Sequence, residues 1–172
     1  MYFVITGPVA SGKSTIANEI KKKFPFQKFI VINDKEFSVK NNLGEENKET
    51  KEYEVSLPLL AKKVSFLLKK KQNIIFEGHL FCELPKLTLK KMDFIFILNT
   101  PEKFQRDKMR ERGYDVLKIE ENILCSKTNY FENKLSSRKI DFIPIEVTKD
   151  LKLNIKKINK YLKMWNNIWL KH

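Results

Sequence analysis

The chain has 172 residues, of which 42% are hydrophobic and 32% charged; this excludes a disordered chain and suits one domain, 1–172, with a real core. No apolar run approaches the roughly 20 residues of a membrane span, and "MYFVITGP" lacks the basic opening and long apolar stretch of a secretory signal. The net charge of +13, with 34 basic residues against 21 acids, fits a surface that attracts polyanions such as nucleotides or RNA.

In chain order, "YFVIT" (2–6) reads as a buried strand. A small-residue loop follows, then a helix over 13–24 whose Ile16, Ala17, Ile20 and Phe24 recur at helical spacing. "KFIVIN" (28–33) is a second strand, and "DKEFSVKNNL" (34–43) a short helix capped by Asp34. Residues 44–52 are polar and read as a mobile loop. A helix runs from about Leu57, with Pro58 in its first turn. "NIIFEG" (73–78) and "DFIFIL" (93–98) are the third and fourth strands. Residues 101–113 form a helix opened by Pro101 and closed by Gly113. Residues 115–138 read as one long helix and "DFIPIEV" (141–147) as the fifth strand. The closing helix, 150–170, carries Leu153, Ile155, Ile158, Leu162, Trp165 and Trp169 as a core stripe. Continuous apolar strands alternating with helices predict an α/β fold, with a parallel sheet covered on both faces.

"GPVASGKS" (7–14) fits G-x-x-x-x-G-K-[ST], a pattern expected by chance about 0.002 times in a chain of this composition. It lies between a strand and a helix, the setting of a phosphate-binding loop. Its backbone N–H groups wrap a phosphate chain at a helix N-terminus. Gly7, Ala10 and Gly12 belong to the loop that holds ATP, Lys13 bridges the terminal phosphates, Ser14 ligates Mg²⁺ and Thr15 reaches an inner phosphate. Glu77, at the end of the third strand, falls at the metal edge and holds Mg²⁺ through water. His79 either orients a water or phosphate or is a hydrogen-bonded loop histidine.

Of the 34 basic residues, 30 are lysines scattered along the chain, which reads as a solvated surface. The four arginines, Arg106, Arg110, Arg112 and Arg138, fall within 33 residues and read as a site, because guanidinium is the better bidentate partner for phosphate. Arg106 and Arg110 share a helix face that is either a phosphate clamp or a solvated surface. Arg112, at the turn by Gly113, reads as the arginine of a short lid, about 111–121. The segment 33–56, with Asp34, Lys35, Lys40 and Lys51, is either an acceptor pocket or an ordinary loop. The cysteines, Cys82 and Cys125, have no metal or redox spacing and read as reduced.

"GPVASGKST", "IFEGHLF", "RERGYDVLKIEENI" and "INKYLKMWNNIWLKH" together resemble the adenylate kinase isoenzyme 6 family, in order and over nearly the whole chain. The lid stretch and the tryptophan-bearing last helix are more specific than the loop motif. The resemblance implies the nucleoside monophosphate kinase fold: five parallel strands in the order 2-3-1-4-5, helices on both faces and a short lid. It also implies phosphorylation of AMP by ATP with Mg²⁺, and a weaker ATPase activity. The implied cellular role is small ribosomal subunit maturation, with a ribosomal protein and pre-ribosomal RNA as partners and no membrane. The expected protein is a cytoplasmic monomer, nuclear as well if eukaryotic. Glu77 and His79 match the family's metal-side pair, Arg112 its lid arginine and Asp34 its acid at the start of the AMP-binding segment.

Glu77 stands where many members carry aspartate, and Lys108 where an arginine is often found. No arginine precedes Arg106, so Lys35, Lys40 or backbone must grip AMP, and acceptor recognition is expected to be weak or broad. Two other functions fit the residues: an ATPase switch on a ribosomal assembly intermediate, and a kinase for another small hydroxyl substrate.

Overall fold

In the computed structural model, which describes residues 1–49 and 51–169, the five apolar runs pair as one parallel sheet. The strands are β1 (Tyr2–Thr6), β2 (Ile30–Asn33), β5 (Ile74–Glu77), β6 (Phe94–Asn99) and β7 (Ile143–Glu146). They stand in the order β2-β5-β1-β6-β7, which is 2-3-1-4-5 when only central strands are counted. The two remaining labels belong to an antiparallel hairpin, β3 (Gly44–Glu46) and β4 (Tyr53–Val55). It occupies the stretch expected to be a mobile loop. Its strands are only three residues long, so even the Tyr53-Glu54-Val55 alternation is too short to mark a half-buried strand in the sequence.

Both sheet faces are covered, which is why the strands are apolar without interruption. Phe3, Ile5, Ile75, Phe96 and Leu98 pack against α1 (Lys13–Lys23) and α8 (Leu151–Trp169). Val4, Ile74, Phe76, Ile95 and Ile97 pack beneath α3 (Leu57–Leu67), α4 (Lys86–Leu89) and α7 (Tyr130–Ser137). Each of these buried side chains contributes about 1.5–3 kcal/mol of apolar burial. Of the expected stripe on the last helix, Ile155, Ile158 and Leu162 are buried, whereas Leu153 is 41% exposed. The side chains of Trp165 and Trp169 lie outside the described residues.

The remaining helices are α2 (Asp34–Lys40), α5 (Glu102–Glu111) and α6 (Val116–Lys127). The cap of α2 is the Asn33 side chain, which accepts from the Glu36 N–H at 3.0 Å, so Asp34 is a helical residue and not the cap expected. The single long helix expected over 115–138 is two. Asn129 takes a left-handed conformation (φ 48°) between α6 and α7, a geometry asparagine tolerates. The break lets Ile119 and Ile123 bury against Met109 of α5 while Phe131 and Leu135 reach the sheet. One straight rod would not present both sets to different cores. Among the described residues no helix is long and apolar enough to cross a membrane.

Candidate functional site

The C-terminal ends of β1, β2 and β5 are neighbours in the sheet, with Ile5 beside Glu77 and Glu77 beside Asn33. Parallel pairing thus brings three distant sequence segments to one edge. The loop 7–12 leaves β1 there and ends in α1. At Gly7 (φ 139°) a Cβ would sit 2.8 Å from the Leu98 carbonyl oxygen, so any larger residue would push the loop off β6. Gly12 (φ 89°) and Ala10 (φ 62°) are both left-handed. Ala10 is not a glycine, and such strain, of order 1–3 kcal/mol, collects at ligand clamps.

Lys13 turns its ammonium back into the loop. It donates to the carbonyls of Gly7 (2.9 Å) and Pro8 (2.6 Å) and to Ser11 Oγ (3.4 Å). Burial pushes its pKa down from 10.5 to about 8. Asp34 and then Glu77 oppose that shift, and the Arg112 guanidinium adds to it. These three charges therefore act on the lysine through space. Ser14 and Thr15 are exposed at the first turn of α1.

Glu77 is 3% exposed. Its Oε1 accepts from Asn33 Nδ2 at 2.7 Å, whereas Oε2 is buried without a hydrogen-bond partner. A buried carboxylate oxygen left open is costly unless something with positive charge or a proton meets it. An all-oxygen donor set of Glu77 and Ser14 suits a hard divalent cation with its waters, so these residues fit Mg²⁺.

Asp34, expected at the start of the AMP-binding segment, is buried in the first turn of α2. It is 2% exposed, and its carboxylate accepts from the N–H groups of Lys35 and Leu80, each at 2.8 Å. His79 Nδ1 lies 3.7 Å from the same carboxylate and its side chain is 54% exposed. Gly78 (φ 145°) makes room for this arrangement, since a Cβ there would fall 2.1 Å from the Asp34 carboxyl carbon. Asp34 thus belongs with Lys13 and His79. Lys35 and Lys40 are exposed on α2. Lys118 of α6 reaches Glu52 of the hairpin at 3.6 Å, joining α6 to the 44–55 segment.

The four arginines do not form one site. Arg106 is held by Glu102 (Nε to Oε1, 2.7 Å) and Glu120 (Nη2 to Oε2, 2.9 Å), bracing α5 against α6. Arg110 faces Asp107 at 3.7 Å on an exposed surface. Arg138 donates to the carbonyls of Cys82 (3.2 Å) and Leu84 (3.1 Å), tying α7 to the turn after His79. Arg112 alone lines the cavity beside the loop. It ends α5, and the chain turns through Gly113 (φ 74°) into α6, whose Asp115 cap accepts from the Lys118 N–H at 2.8 Å. Val9 and Ala10 of the loop pack on the α5–α6 core, so these helices rest directly on the phosphate loop.

That cavity, about 440 Å³, is lined by Thr15, Thr100, Phe104, Arg112, Thr148 and Lys149 among others. Lys149 lies 5.1 Å above the Phe104 ring. The buried Asn154 fixes the 147–149 turn, donating to the Thr148 carbonyl (2.8 Å) and accepting from its N–H (2.9 Å). None of Phe104, Thr148, Lys149 or Asn154 stood out in the sequence. The available signal was position: "VTKD" follows the last strand, at the same edge as the loop. The wall suits a flat ring with charged or polar rims. Of the cysteines, Cys82 is buried, which pushes its thiol up to about 12 and leaves it inert, and both are free thiols.

The AAA domain family matches residues 4–129. The chain is 31% identical over 123 residues to a protein of Pyrococcus abyssi named "Putative adenylate kinase", an alignment covering 72% of this chain and 62% of that one. A protein of the same name from Methanocaldococcus jannaschii is 26% identical over 162 residues, covering 88% of this chain and 86% of the relative. The chain thus spans less than two thirds of the Pyrococcus relative's length. Among solved structures, a shikimate kinase from Bacteroides thetaiotaomicron superposes with a TM-score of 0.65 at 11% identity, over 95% of this chain and 98% of the other. At that identity the likeness shows the fold and leaves the acceptor open.

Proposed function

This chain belongs to the AAA domain family, whose match covers residues 4–129, and from that premise we propose that it is a nucleoside monophosphate kinase moving the γ-phosphoryl of ATP to AMP. The observation that carries the reading is the loop geometry, with the Lys13 ammonium held by the Gly7 and Pro8 carbonyls, Glu77 ending the strand beside β1 and Arg112 lining the cavity next to the loop. Phosphoryl transfer needs positioned cations and little else from the protein. The backbone of Gly7, Ala10 and Gly12 cradles the phosphates, with Ser14 and Thr15 at the helix start. Lys13 leaves the loop carbonyls to meet the terminal phosphates, and Arg112 closes from the lid. Ser14, and Glu77 through water, would hold Mg²⁺, which when bound neutralises phosphate charge. His79, oriented by Asp34, faces the phosphates from the other side. The base occupies the cavity between Phe104 and the 147–149 turn, and Lys35 and Lys40 meet the AMP phosphate. The β–γ bridging bond of ATP breaks as a phosphate oxygen of AMP bonds the γ-phosphorus, giving two ADP.

The second reading is an ATPase switch in small ribosomal subunit maturation, with a ribosomal protein and pre-ribosomal RNA as partners. It rests on the lid resemblance, and the net charge of +13 favours an RNA-bearing partner. Incubation with Mg-ATP, with and without AMP, separates the two. ADP formed only with AMP, without free phosphate, is the expected result. Free phosphate released regardless of AMP would move the assignment to the switch. In the same assay, CMP, UMP and GMP are expected to serve within about tenfold of AMP, because lysines grip phosphate as point charges. A sharp AMP preference would contradict that.

The lysine also predicts a proton signature. Phosphates beside Lys13 favour its charged form and raise the depressed pKa of about 8. Mg-ATP binding at pH 8 is therefore expected to take up about half a proton per site, and at pH 6.5 almost none from Lys13. Titration calorimetry in buffers of different ionisation enthalpy measures this, and release of protons at pH 8 would contradict it.

A further inference from the structure

The edge of the sheet opposite the nucleotide site carries charge of its own. Four connections reach strand N-termini there: residues 21–29 before β2, 68–73 before β5, 90–93 before β6 and 138–142 before β7. Together they carry ten lysines, all exposed, against two acids, Asp93 and Asp141. Asp93 accepts from the Tyr2 N–H, at 2.6 Å. The strand order sets these connections side by side across about 19 Å, at ~4.8 Å per strand. Strands of four to six residues separate this band from the phosphate loop by about 13–20 Å. The lysines there are too far away to grip the nucleotide.

We infer that this edge is a binding track for single-stranded nucleic acid. Exposed aromatic rings stand among the cations. Phe26, between Lys21–Lys23 and Lys28, is 92% exposed, and Phe66, 57% exposed, has the Lys70 ammonium 5.1 Å from its ring centre. A basic groove with stacking platforms is how strands are held without regard to sequence. The surface is also concave. Lys21, Lys22 and Lys28 help wall a cleft of about 400 Å³ under residues 21–29, and Lys90 and Lys139 one of about 220 Å³ at the other end. Clefts suit a threaded polymer, whereas a bilayer needs a continuous unpartnered apolar face; α1, α3 and α8 bury their main apolar faces on the sheet, leaving Phe66 exposed singly on α3. The inference goes beyond the kinase reading and does not depend on it.

Fluorescence anisotropy with labelled 12-residue oligouridylate and oligothymidylate tests it in salt from 50 to 200 mM. The log affinity is expected to fall with log salt at a slope of about −3, for four or five phosphates at about −0.7 each. Replacing Lys23, Lys69 and Lys91 by Gln together is expected to weaken binding at least tenfold and reduce the slope by about 2. Phe26→Ala is expected to weaken it about fivefold or more. A control triple on other surfaces, Lys62, Lys152 and Lys156 to Gln, should change binding less than twofold. ATP turnover should be unchanged in both triples, which keeps this result separate from the nucleotide site. Tighter binding of the RNA oligomer assigns RNA, and equal binding assigns recognition of the shared backbone; both support the track. Equal loss in the two triples, no binding at 50 mM salt, or binding to phosphatidylserine vesicles without oligonucleotide binding would overturn it.

Discussion

Lys13→Ala is expected to lower phosphoryl transfer by at least about 10³-fold, roughly 4 kcal/mol of transition-state stabilisation, while the protein stays folded. The ammonium is the one cation carried by the phosphate loop itself, and phosphoryl transfer depends on charge held in place before the reaction. The fold is expected to survive because two effects offset. The substitution removes hydrogen bonds to Gly7, Pro8 and Ser11, worth about 1 kcal/mol each. It also removes a buried charge whose pKa has fallen from 10.5 to about 8, a penalty of order 3 kcal/mol at neutral pH. The thermal midpoint should therefore move by no more than about 5 °C. The pH dependence has a definite sign. The folded pKa lies below the unfolded one, so the unfolded chain binds more protons between pH 8 and 10.5. The wild type should gain stability across that window relative to the variant. Retained turnover would overturn the site assignment, and a collapsed fold would mean that the loop hydrogen bonds outweigh the burial penalty.

Arg112→Ala is expected to lower kcat by about 10²–10⁴-fold and to change the KM for ATP by less than tenfold. Arg112 is exposed and sits at the end of α5, so its loss should leave the thermal midpoint in place. Arg112 lines the cavity beside the phosphate loop, which places it next to the proposed position of the moving phosphoryl group. Arg112→Lys should recover little, because a point charge does not replace the planar fork at a spread-out transition state. Steady-state kinetics with ATP varied at saturating AMP decides the matter. A raised KM with kcat intact would make Arg112 a binding residue only. By contrast Arg106→Ala, which unties Glu102 and Glu120, should act through the α5–α6 packing and not through chemistry.

The sequence by itself determined the phosphate loop, the alternation of strands and helices, and the edge at which Glu77 and His79 emerge, because each is written in local spacing. A Gly-rich loop between an apolar run and an amphipathic helix needs no distant partner to be read. Caps and breaks were less legible: Asn33 and Asp34 are adjacent residues that can both cap, and Asn129 interrupts a pattern that otherwise continues. What only the tertiary structure decided are the relations between distant residues. It buries Asp34 beside His79, within reach of the Lys13 charge. It divides four arginines close in sequence among a brace, a solvated face, a tie to α7 and the wall of the cavity beside the loop. It also gathers lysines that look scattered along the chain into one band, because in a parallel sheet every helix-to-strand connection returns to the same edge. Local patterns fix elements through the backbone's own periodicities, whereas the company a charge keeps is set by strand order and packing, which no short window of sequence contains.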